Sequence, residues 1–282
     1  MGIRNVGVPA AALVVLVALS ACGAGIPEDL VVPGTAPAAP YRGPLKAKAP
    51  DGDGDDGDVR AGGAAVLALE CAGKPYEGGR GDDGWGRSDG AYSPEEALNA
   101  LVTDDPGSLP HRGYRVEHET GRRVLYSYDV GGRTRVAVIV AKDRPHRPGW
   151  GMETFARCDP SEFARRDRAR LDLRVWTDRA GRPVPVSEVF STAGPEHCDW
   201  QSVTFLHLGD RQYLRDPGHV LSRDSLHTSY APKSRLPAGA TDTGYRDGHR
   251  QLWLSVDKSN AYVRTGSRVE RWPGSIEPIA CK

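Results

Sequence analysis

An apolar run at the N-terminus constrains this chain most, because it predicts the compartment in which the chain folds. Residues 6–21 are small or apolar, and Arg4 is the only charged residue before them. The run is shorter than the length of about 20 residues that a transmembrane helix needs. A short basic start followed by such a run is typical of a secretory signal peptide. The sequence therefore predicts that residues 1–21 direct export and that the rest of the chain folds in an oxidising setting.

The end of this run carries a lipidation motif. Leu19-Ser20-Ala21-Cys22 resembles the bacterial lipobox. In lipoproteins with a lipobox, the signal is cleaved before the cysteine, and the cysteine sulfur is diacylated. Two acyl chains, such as palmitate, hold a protein stably on a bilayer, because each buried CH₂ contributes about 0.8 kcal/mol. We therefore expect lipidation of Cys22 and a place on the extracytoplasmic face of the cell membrane; a plain secretory peptide or an uncleaved anchor is the alternative.

The next segment, residues 22–63, is predicted to be a disordered linker. It is rich in Gly, Ala, Pro and Asp and has few large apolar residues, so it buries too little surface to offset the entropy of ordering. The Pro-rich part is expected to hold the body off the membrane. An acidic run begins at Asp51, but Asp56 and Gly62 stand where an EF-hand loop needs Gly and Glu. A solvated linker is favoured over a weak calcium site.

The charge balance limits the partners of the protein. The chain has 37 basic and 37 acidic residues, and removal of the signal peptide deletes one arginine and no acid. No basic block supports nucleic-acid binding, and no net positive charge draws the body to anionic lipid. The expected partners are the membrane, through the lipid on Cys22, and an unidentified envelope protein or cell-wall ligand.

Four further cysteines lie in the body of the chain, at positions 71, 158, 198 and 281. An even number in an exported protein predicts two disulfides, and four cysteines allow three pairings. We favour Cys71–Cys158 and Cys198–Cys281, because each bridge then closes one half, residues 64–168 or residues 169–282. The absence of a Cys-x-x-Cys pair argues against a zinc ribbon or a thioredoxin-like site.

The first half combines one or two helices with strands. Ser93-Pro94-Glu95-Glu96 is a capping box and predicts a helix that ends before residue 105. Strands are predicted at residues 114–119, 124–130, 133–141 and 150–158. A second capping box, at residues 159–162, predicts a short helix over 160–167. The mixed-charge stretch 164–170 is interpreted as a solvated helix end and not as a binding patch.

The second half is predicted to consist of strands. The patterns indicate a hairpin of residues 171–177 and 183–190, two strands at 203–208 and 212–215, and a meander of residues 251–256, 260–264 and 268–272. The predicted fold class is therefore α+β and β-dominated, with antiparallel sheets, one or two short capped helices and stabilising disulfide bonds.

The whole chain resembles the uncharacterised secreted lipoproteins of high-GC actinobacteria, which have a lipobox cysteine and two disulfides. Besides the lipobox, the resemblance rests on four short motifs: Ser93-Pro94-Glu95-Glu96-Ala97-Leu98, Cys158-Asp159-Pro160, Cys198-Asp199-Trp200-Gln201 and Glu270-Arg271-Trp272-Pro273. The resemblance implies a location and an architecture. It implies no catalytic residue.

Sequence motifs for catalysis are weak. There is no Gly-x-Ser-x-Gly elbow, His-Glu-x-x-His zinc motif, phosphate loop or Ser-x-x-Lys pair. Asp242-Thr243-Gly244 matches the triplet of aspartic proteases, but a turn explains it better, because Asp can accept from the backbone two residues on and Gly supplies a positive φ. His197 adjoins Cys198, but bridging explains that cysteine better than a nucleophilic role.

No cofactor or metal is predicted, and the chain is expected to be non-catalytic. The eight histidines show no metal-ligand spacing, so scattered surface positions are favoured over a metal cluster. Trp200 is expected to pack near a disulfide, and Trp85 is the tryptophan most suited to ligand contact. The favoured function is ligand or partner binding at the cell surface. The alternative is a surface-attached hydrolase that acts on cell-wall polymer or peptide.

Overall fold

The computed structural model describes residues 26–34, 37, 39–46, 59–81, 90–104, 107–144 and 147–281. The signal peptide, Cys22, the acidic run and Trp85 lie outside these residues. Within them the chain is β-dominated, with three antiparallel sheets and short helices, which confirms the coarse fold prediction. The α-helices are α1 (Ala64–Ala68), α2 (Pro94–Asp104) and α3 (Arg165–Arg168). None of the helices in this part of the chain is long and apolar enough to cross a membrane.

The first half is built on one five-stranded sheet. Its strands are β1 (Glu77–Arg80), β2 (Tyr114–Thr120), β3 (Arg123–Val130), β4 (Arg133–Arg144) and β5 (Arg147–Arg157). Their order in the sheet is β1-β5-β4-β3-β2, so the four predicted strands are β2 to β5. Gly131 and Gly132 join β3 to β4 with φ of +61° and +75°, the left-handed conformation that a tight hairpin turn requires. The sequence patterns do not indicate β1, because it is short and Gly-rich.

Both faces of this sheet are buried. Alternate residues point to opposite sides, so Tyr126 and Val138 pack beneath α2, whereas Leu125 and Ile139 pack beneath α1. Burial on both faces explains why β4 is apolar at almost every position of its centre. The sheet therefore separates two cores, and each core needs a cover from elsewhere in the chain.

The helices only partly follow the sequence prediction. At α2, the N–H of Glu96 donates to Oγ of Ser93 (3.1 Å), and the N–H of Tyr92 donates to the carboxylate of Glu96 (2.8 Å). The helix predicted over 160–167 is instead a 3-10 turn, Pro160–Glu162, followed by the separate helix α3. Ala164 precedes α3 and provides no side-chain acceptor, so the predicted capping does not extend to that helix.

Two stretches of the predicted linker lie on the folded body. Leu30 is fully buried in the core beneath α2. Its carbonyl accepts from the N–H of Tyr114 (2.9 Å), and the N–H of Val32 donates to the carbonyl of Tyr114 (2.7 Å), so this stretch pairs with the edge strand β2. Leu45 is buried in the opposite core, and the N–H of Tyr41 donates to the Glu117 carboxylate (2.6 Å).

This packing differs from the interpretation of 22–63 as a linker throughout. The composition of the segment is indeed poor in apolar residues, but isolated leucines are enough where an open sheet edge supplies backbone partners. Residues 26–34 and 39–46 lie along the β2 edge and reach both faces of the sheet. A third described stretch, the 3-10 turn Val59–Gly62, lies against β1 and β5 at the opposite edge.

The second half contains the other two sheets. One has the order β6-β7-β8-β9, and the other has the order β10-β11-β12-β13. The strands are β6 (Leu173–Val175), β7 (Val189–Ala193), β8 (Thr204–Leu208), β9 (Arg211–Arg215), β10 (Thr241–Asp247), β11 (Arg250–Leu254), β12 (Asn260–Thr265) and β13 (Arg268–Pro273). The predicted meander is therefore β11 to β13, and β10 adds a fourth strand at its edge.

The predicted hairpin of 171–177 and 183–190 is wrong in its second arm. Only Thr177 and Pro183 form a bridge across the turn, and β6 pairs instead with β7, which begins at Val189. Pro183 and Pro185 have no N–H to donate, so the chain cannot form a continuous ladder there. The turn itself is present, since Asp178 accepts from the N–H of Ala180 (2.8 Å).

The core of the second half lies between its two sheets. Trp176, directly after β6, and Leu206 of β8 belong to one buried cluster. The other sheet contributes residues of β11, β12 and β13 to the same cluster: Leu252, Val263 and Trp272. The two sheets thus cover each other, and this half does not need a helix on its main core.

The structure pairs the cysteines as favoured from the sequence. Cys71, after α1, is bonded to Cys158, after β5, with a Cα–Cα distance of 5.3 Å. Cys198 is bonded to Cys281 near the C-terminus with a Cα–Cα distance of 6.3 Å. Both distances lie within the normal disulfide range, and each bridge closes one half.

Candidate functional site

A cavity of about 570 Å³ lies where the connection between the halves meets the second half. It is lined by α3, by β6 and β7, and by the ends of β8 and β10. Its volume is in the range of small-molecule sites. Three arginines, Arg165, Arg168 and Arg174, and two aspartates, Asp172 and Asp247, give the lining its charge.

The arginines come from two elements. Arg165 and Arg168 stand three residues apart on α3, which places them on one side of the helix, and Arg174 comes from β6. Arg165 and Arg174 are exposed, and Arg168 is half-buried. In the described part of the chain, none of the three is ion-paired with a carboxylate, in contrast to the neighbouring Arg166, which lies 3.4 Å from Asp167.

Arg168 is held in place by backbone groups. Its Nη1 donates to the carbonyls of Ser161 (3.1 Å) and Phe163 (2.8 Å). Burial, followed by repulsion from Arg165, lowers the pKa of Arg168 below the usual value for a guanidinium. The fold therefore keeps two positive charges close together without a carboxylate to compensate them.

The two aspartates of the lining do not neutralise this charge fully. Asp172 is exposed, and its backbone N–H donates to the carbonyl of Gly107 (3.2 Å). Asp247 lies 2.8 Å from Nη2 of Arg250. Since Asp247 is already ion-paired with Arg250, which is not part of the lining, the lining has an excess of positive charge.

The hydroxyl groups of the cavity are not arranged for nucleophilic catalysis. Ser191 is buried, and its Oγ accepts from Nε1 of Trp176 (3.2 Å). Thr192 donates its hydroxyl to the carbonyl of Ala193 (3.0 Å). The described residues that line the cavity include no histidine or cysteine, so no imidazole or thiol of the lining lies beside these hydroxyls.

The Asp242-Thr243-Gly244 triplet is a turn, as interpreted from the sequence. The N–H of Gly244, which has φ of +87°, donates to Oδ1 of Asp242 (2.9 Å). Arg246 binds the same carboxylate through both Nη atoms, at 2.8 and 2.7 Å, and Arg179 donates to it at 3.0 Å. The hydrogen bonds from Arg246, opposed by partial burial and helped by Gly244, lower the pKa of Asp242 to about 2. Two arginines and a backbone N–H thus hold this carboxylate, which is the environment of a turn and not of two carboxylates that share a proton.

A second cavity, of about 310 Å³, contains two histidines, His207 and His227. The His207 ring stacks on Phe190 with centroids 4.4 Å apart, and burial lowers its pKa. The nearby Ser275 donates its hydroxyl to the carbonyl of Gln212 (3.4 Å). The hydroxyl therefore points to the backbone and not to an imidazole.

The His197–Cys198 neighbourhood contains no thiolate. Among the described residues, two groups bring potential metal ligands together, His197 with Cys198 and Cys281, and Cys71 with Cys158 and Glu162. Each group contains both sulfurs of a disulfide. Disulfide sulfur is neither the nucleophile nor the metal ligand that a thiolate would be.

Trp200 packs beside the second disulfide region. Its ring stacks on Phe205 with centroids 6.0 Å apart, and it lies against the small core that contains Val203 and Leu214. The packing role predicted from the sequence fits this position. Trp85 lies outside the described residues.

Sequence reasoning did not identify the cavity that is lined by Arg165, Arg168 and Arg174, which we call the arginine cleft. It interpreted residues 164–170 as a solvated helix end, and the structure places Arg165 and Arg168 of that stretch beside Arg174. The i, i+3 spacing of the first two arginines was visible, but their meeting with β6 depends on how the two halves join.

Comparison with known proteins gives no family for this chain. No protein-family model, curated protein or solved structure matches it. The function is therefore argued from the residues of the molecule itself.

Proposed function

We propose that this protein is an extracytoplasmic lipoprotein, anchored through lipid on Cys22, that binds a ligand or partner without catalysis. In this proposal the folded body is the binding unit and the arginine-lined cavity is its site. The proposal extends to the relationship with secreted lipoproteins of high-GC actinobacteria, which rests on sequence motifs alone.

The observation that carries the proposed location is the pair of disulfides. Disulfides persist in oxidising compartments and are rare in the cytosol. This body has one disulfide in each half, between cysteines 87 and 83 residues apart in sequence, and it follows the predicted export signal of residues 1–21. Export of the folded body accounts for both features together.

The docked N-terminal stretch limits the distance between the anchor and the body. Ile26 is the first described residue, and it is four residues from Cys22. Four extended residues span at most about 14 Å, and Leu30 is already in the core. The anchor would therefore keep the β2 edge close to the bilayer, and a long spacer is not part of the proposal.

Binding is favoured over hydrolysis because of what the main cavity contains. Its charged groups are arginines and aspartates, and the hydroxyls of Thr177, Ser191 and Thr192 are bonded to Trp176 or to backbone. A hydrolase that acts on cell-wall polymer or peptide remains the second candidate, since His207 and His227 share a cavity. His207→Ala combined with His227→Ala separates the two candidates, because it would abolish hydrolysis of wall polymer and leave binding in the arginine cleft unchanged.

Intact-mass measurement of the membrane fraction tests the proposed anchor. The native protein is expected to begin at Cys22 with a diacylglycerol adduct, whereas a Cys22→Ala variant lacks the adduct and leaves the membrane. Alkylation without reductant is expected to find no free thiol in the native body. Unlipidated native protein would overturn the anchor, and free thiols would overturn the oxidising compartment.

A further inference from the structure

The geometry points to the cavity of Arg165, Arg168 and Arg174 as a site for a small organic anion, a molecule with a carboxylate or phosphate group and neighbouring hydroxyls. This inference deepens the proposed binding function and rests on it, because it names the ligand class of the same cavity.

The charge of the cavity lining is unbalanced. Other partly buried arginines of the body are ion-paired, for example Arg123 with Glu153 at 2.6 Å and Arg215 with Glu270 at 3.2 Å. Arg168 has only carbonyl partners among the described residues, and Arg165 on the same helix repels its charge. Like charges at this spacing oppose each other, and a bound anion would remove the repulsion.

The guanidinium group of arginine suits such an anion, because it presents two parallel N–H donors that match the oxygens of a carboxylate or phosphate. Arg165 and Arg174 reach the cavity from α3 and from β6, so an anion between them would be held from two sides. Their exposure leaves both groups accessible from solvent.

The rest of the lining is polar and suits a ligand with hydroxyl groups. Thr177, Thr192 and Thr204 contribute polar groups, and Asp172 is exposed with no ion pair to a described residue. An aspartate beside an arginine cluster disfavours a polyanion and accepts from a hydroxyl. The cavity of about 570 Å³ accommodates a small molecule and not a polymer segment of many units. These features together select a compact, hydroxylated anion.

Titration calorimetry on the full-length protein, purified in detergent from membranes, tests this assignment. The probes are D-glucuronate, inorganic phosphate and, as an uncharged comparison, D-glucose. We expect glucuronate to bind, phosphate to compete with it, and glucose not to bind. Raising the salt concentration is expected to weaken binding, because ionic contacts at an accessible site are screened.

A matched set of variants identifies the binding residues. Arg165→Gln with Arg174→Gln is expected to weaken glucuronate binding by about tenfold for each arginine removed. Both side chains are exposed, so the fold is expected to persist. Arg170→Gln removes one charge from an exposed neighbour outside the lining; it is the control for each single substitution, Arg165→Gln and Arg174→Gln, and is expected to change affinity by less than about twofold.

Three results would overturn the assignment: no binding of either anion at about 10 mM, equal binding of glucose, or equal effects of the Arg170 and the Arg165/Arg174 substitutions. The result is independent of the anchor. A lipidated protein that binds no anion refutes the site alone, and an unlipidated one that binds glucuronate refutes the anchor alone.

Discussion

The two halves of this protein bury their sheets in different ways. The first half has one five-stranded sheet with a core on each face, whereas the second half has two four-stranded sheets with the main core between them. A single sheet must be covered by other elements, here α1, α2 and the stretches around Leu30 and Leu45. Two facing sheets cover each other. The first half therefore depends on residues distant in sequence, and the second half is largely self-sufficient.

The disulfides of the two halves also differ in how deeply they are buried. Cys158 is fully buried at the end of β5, so one sulfur of the first bridge lies in the packed interior, whereas Cys71 is half-buried. Cys198 and Cys281 are only half-buried, and their bridge ties the C-terminal stretch to the outside of the second half. The loops that the two bridges close are nearly equal in length, so chain entropy alone would make the two bridges equivalent.

Removal of each bridge gives the largest expected effects and tests this difference. Chain entropy predicts a loss of about 4.5 kcal/mol in unfolding free energy for either bridge. We expect Cys71→Ala with Cys158→Ala to cost about 1 kcal/mol more than Cys198→Ala with Cys281→Ala, because it also removes packed sulfur from the interior. Urea unfolding of both double variants measures the difference. Equal losses would mean that loop entropy alone sets the contribution of each bridge to the unfolding free energy.

Removal of the Leu30 side chain tests whether the first half needs its distant cover. Leu30→Ala is expected to lower the unfolding free energy by about 3 kcal/mol, as for other fully buried leucines. Ile26→Ala serves as the control, since Ile26 is 42% exposed and its loss is expected to cost less than about 0.5 kcal/mol. If the two variants are equally stable in thermal or urea unfolding, the N-terminal stretch is not part of the folded body.

The second half provides a test of ionic rather than apolar contacts. Hydrogen bonds from Arg246 lower the pKa of Asp242 to about 2, below the value of about 3.9 for an unfolded chain. The stabilisation is therefore present above about pH 4 and is lost as the pH falls toward 2. Asp242→Asn is expected to cost about 1 kcal/mol at pH 7, after allowance for solvent screening.

The pH dependence distinguishes this ionic effect from simple packing. Unfolding of the native protein and Asp242→Asn, compared from pH 7 to pH 2, is expected to show a difference that shrinks through this range. A difference that stays constant down to pH 2 would show that the carboxylate charge does not contribute.

The smallest expected effect concerns α2, the longest of the described helices, which lies on the first half. Ser93→Ala removes the acceptor of the Glu96 N–H and is expected to cost about 0.5–1 kcal/mol. Thr103→Ala removes a hydroxyl that donates to the Asn99 carbonyl (2.7 Å) within the same helix, and it is expected to cost less, because such a bond adds little to a helix. Far-UV circular dichroism during urea unfolding compares the two. Equal stability of Ser93→Ala and the native protein would exclude a capping role.

Much of the local structure is predictable because it depends on short-range patterns. The alternation in β3 and β4, the glycines at 131 and 132, and the Asx turn at Asp242 each depend on neighbours within a few residues. The predicted strand at 183–190 does not form for an equally local reason, since Pro183 and Pro185 lack the N–H donors that a ladder needs.

The candidate site was less predictable than the fold. Arg165 and Arg168 belong to a stretch that the sequence interpretation treated as solvated, and Arg174 belongs to a predicted strand. Neither pattern indicates that the three side chains line one cavity. Their meeting depends on the path of the chain between α3 and β6.

The β-dominated class and the positions of most strands can be predicted without a structure, because side-chain period and turn residues act over short distances, and the even cysteine count favours two bridges but leaves three pairings open. The cysteine pairing itself, the covering of opposite faces of one sheet by Leu30 and Leu45, and the placement of three arginines in one cavity are properties of the folded chain. Those contacts join residues far apart in sequence, and their energy arises from burial and charge proximity, which exist only once the chain has folded.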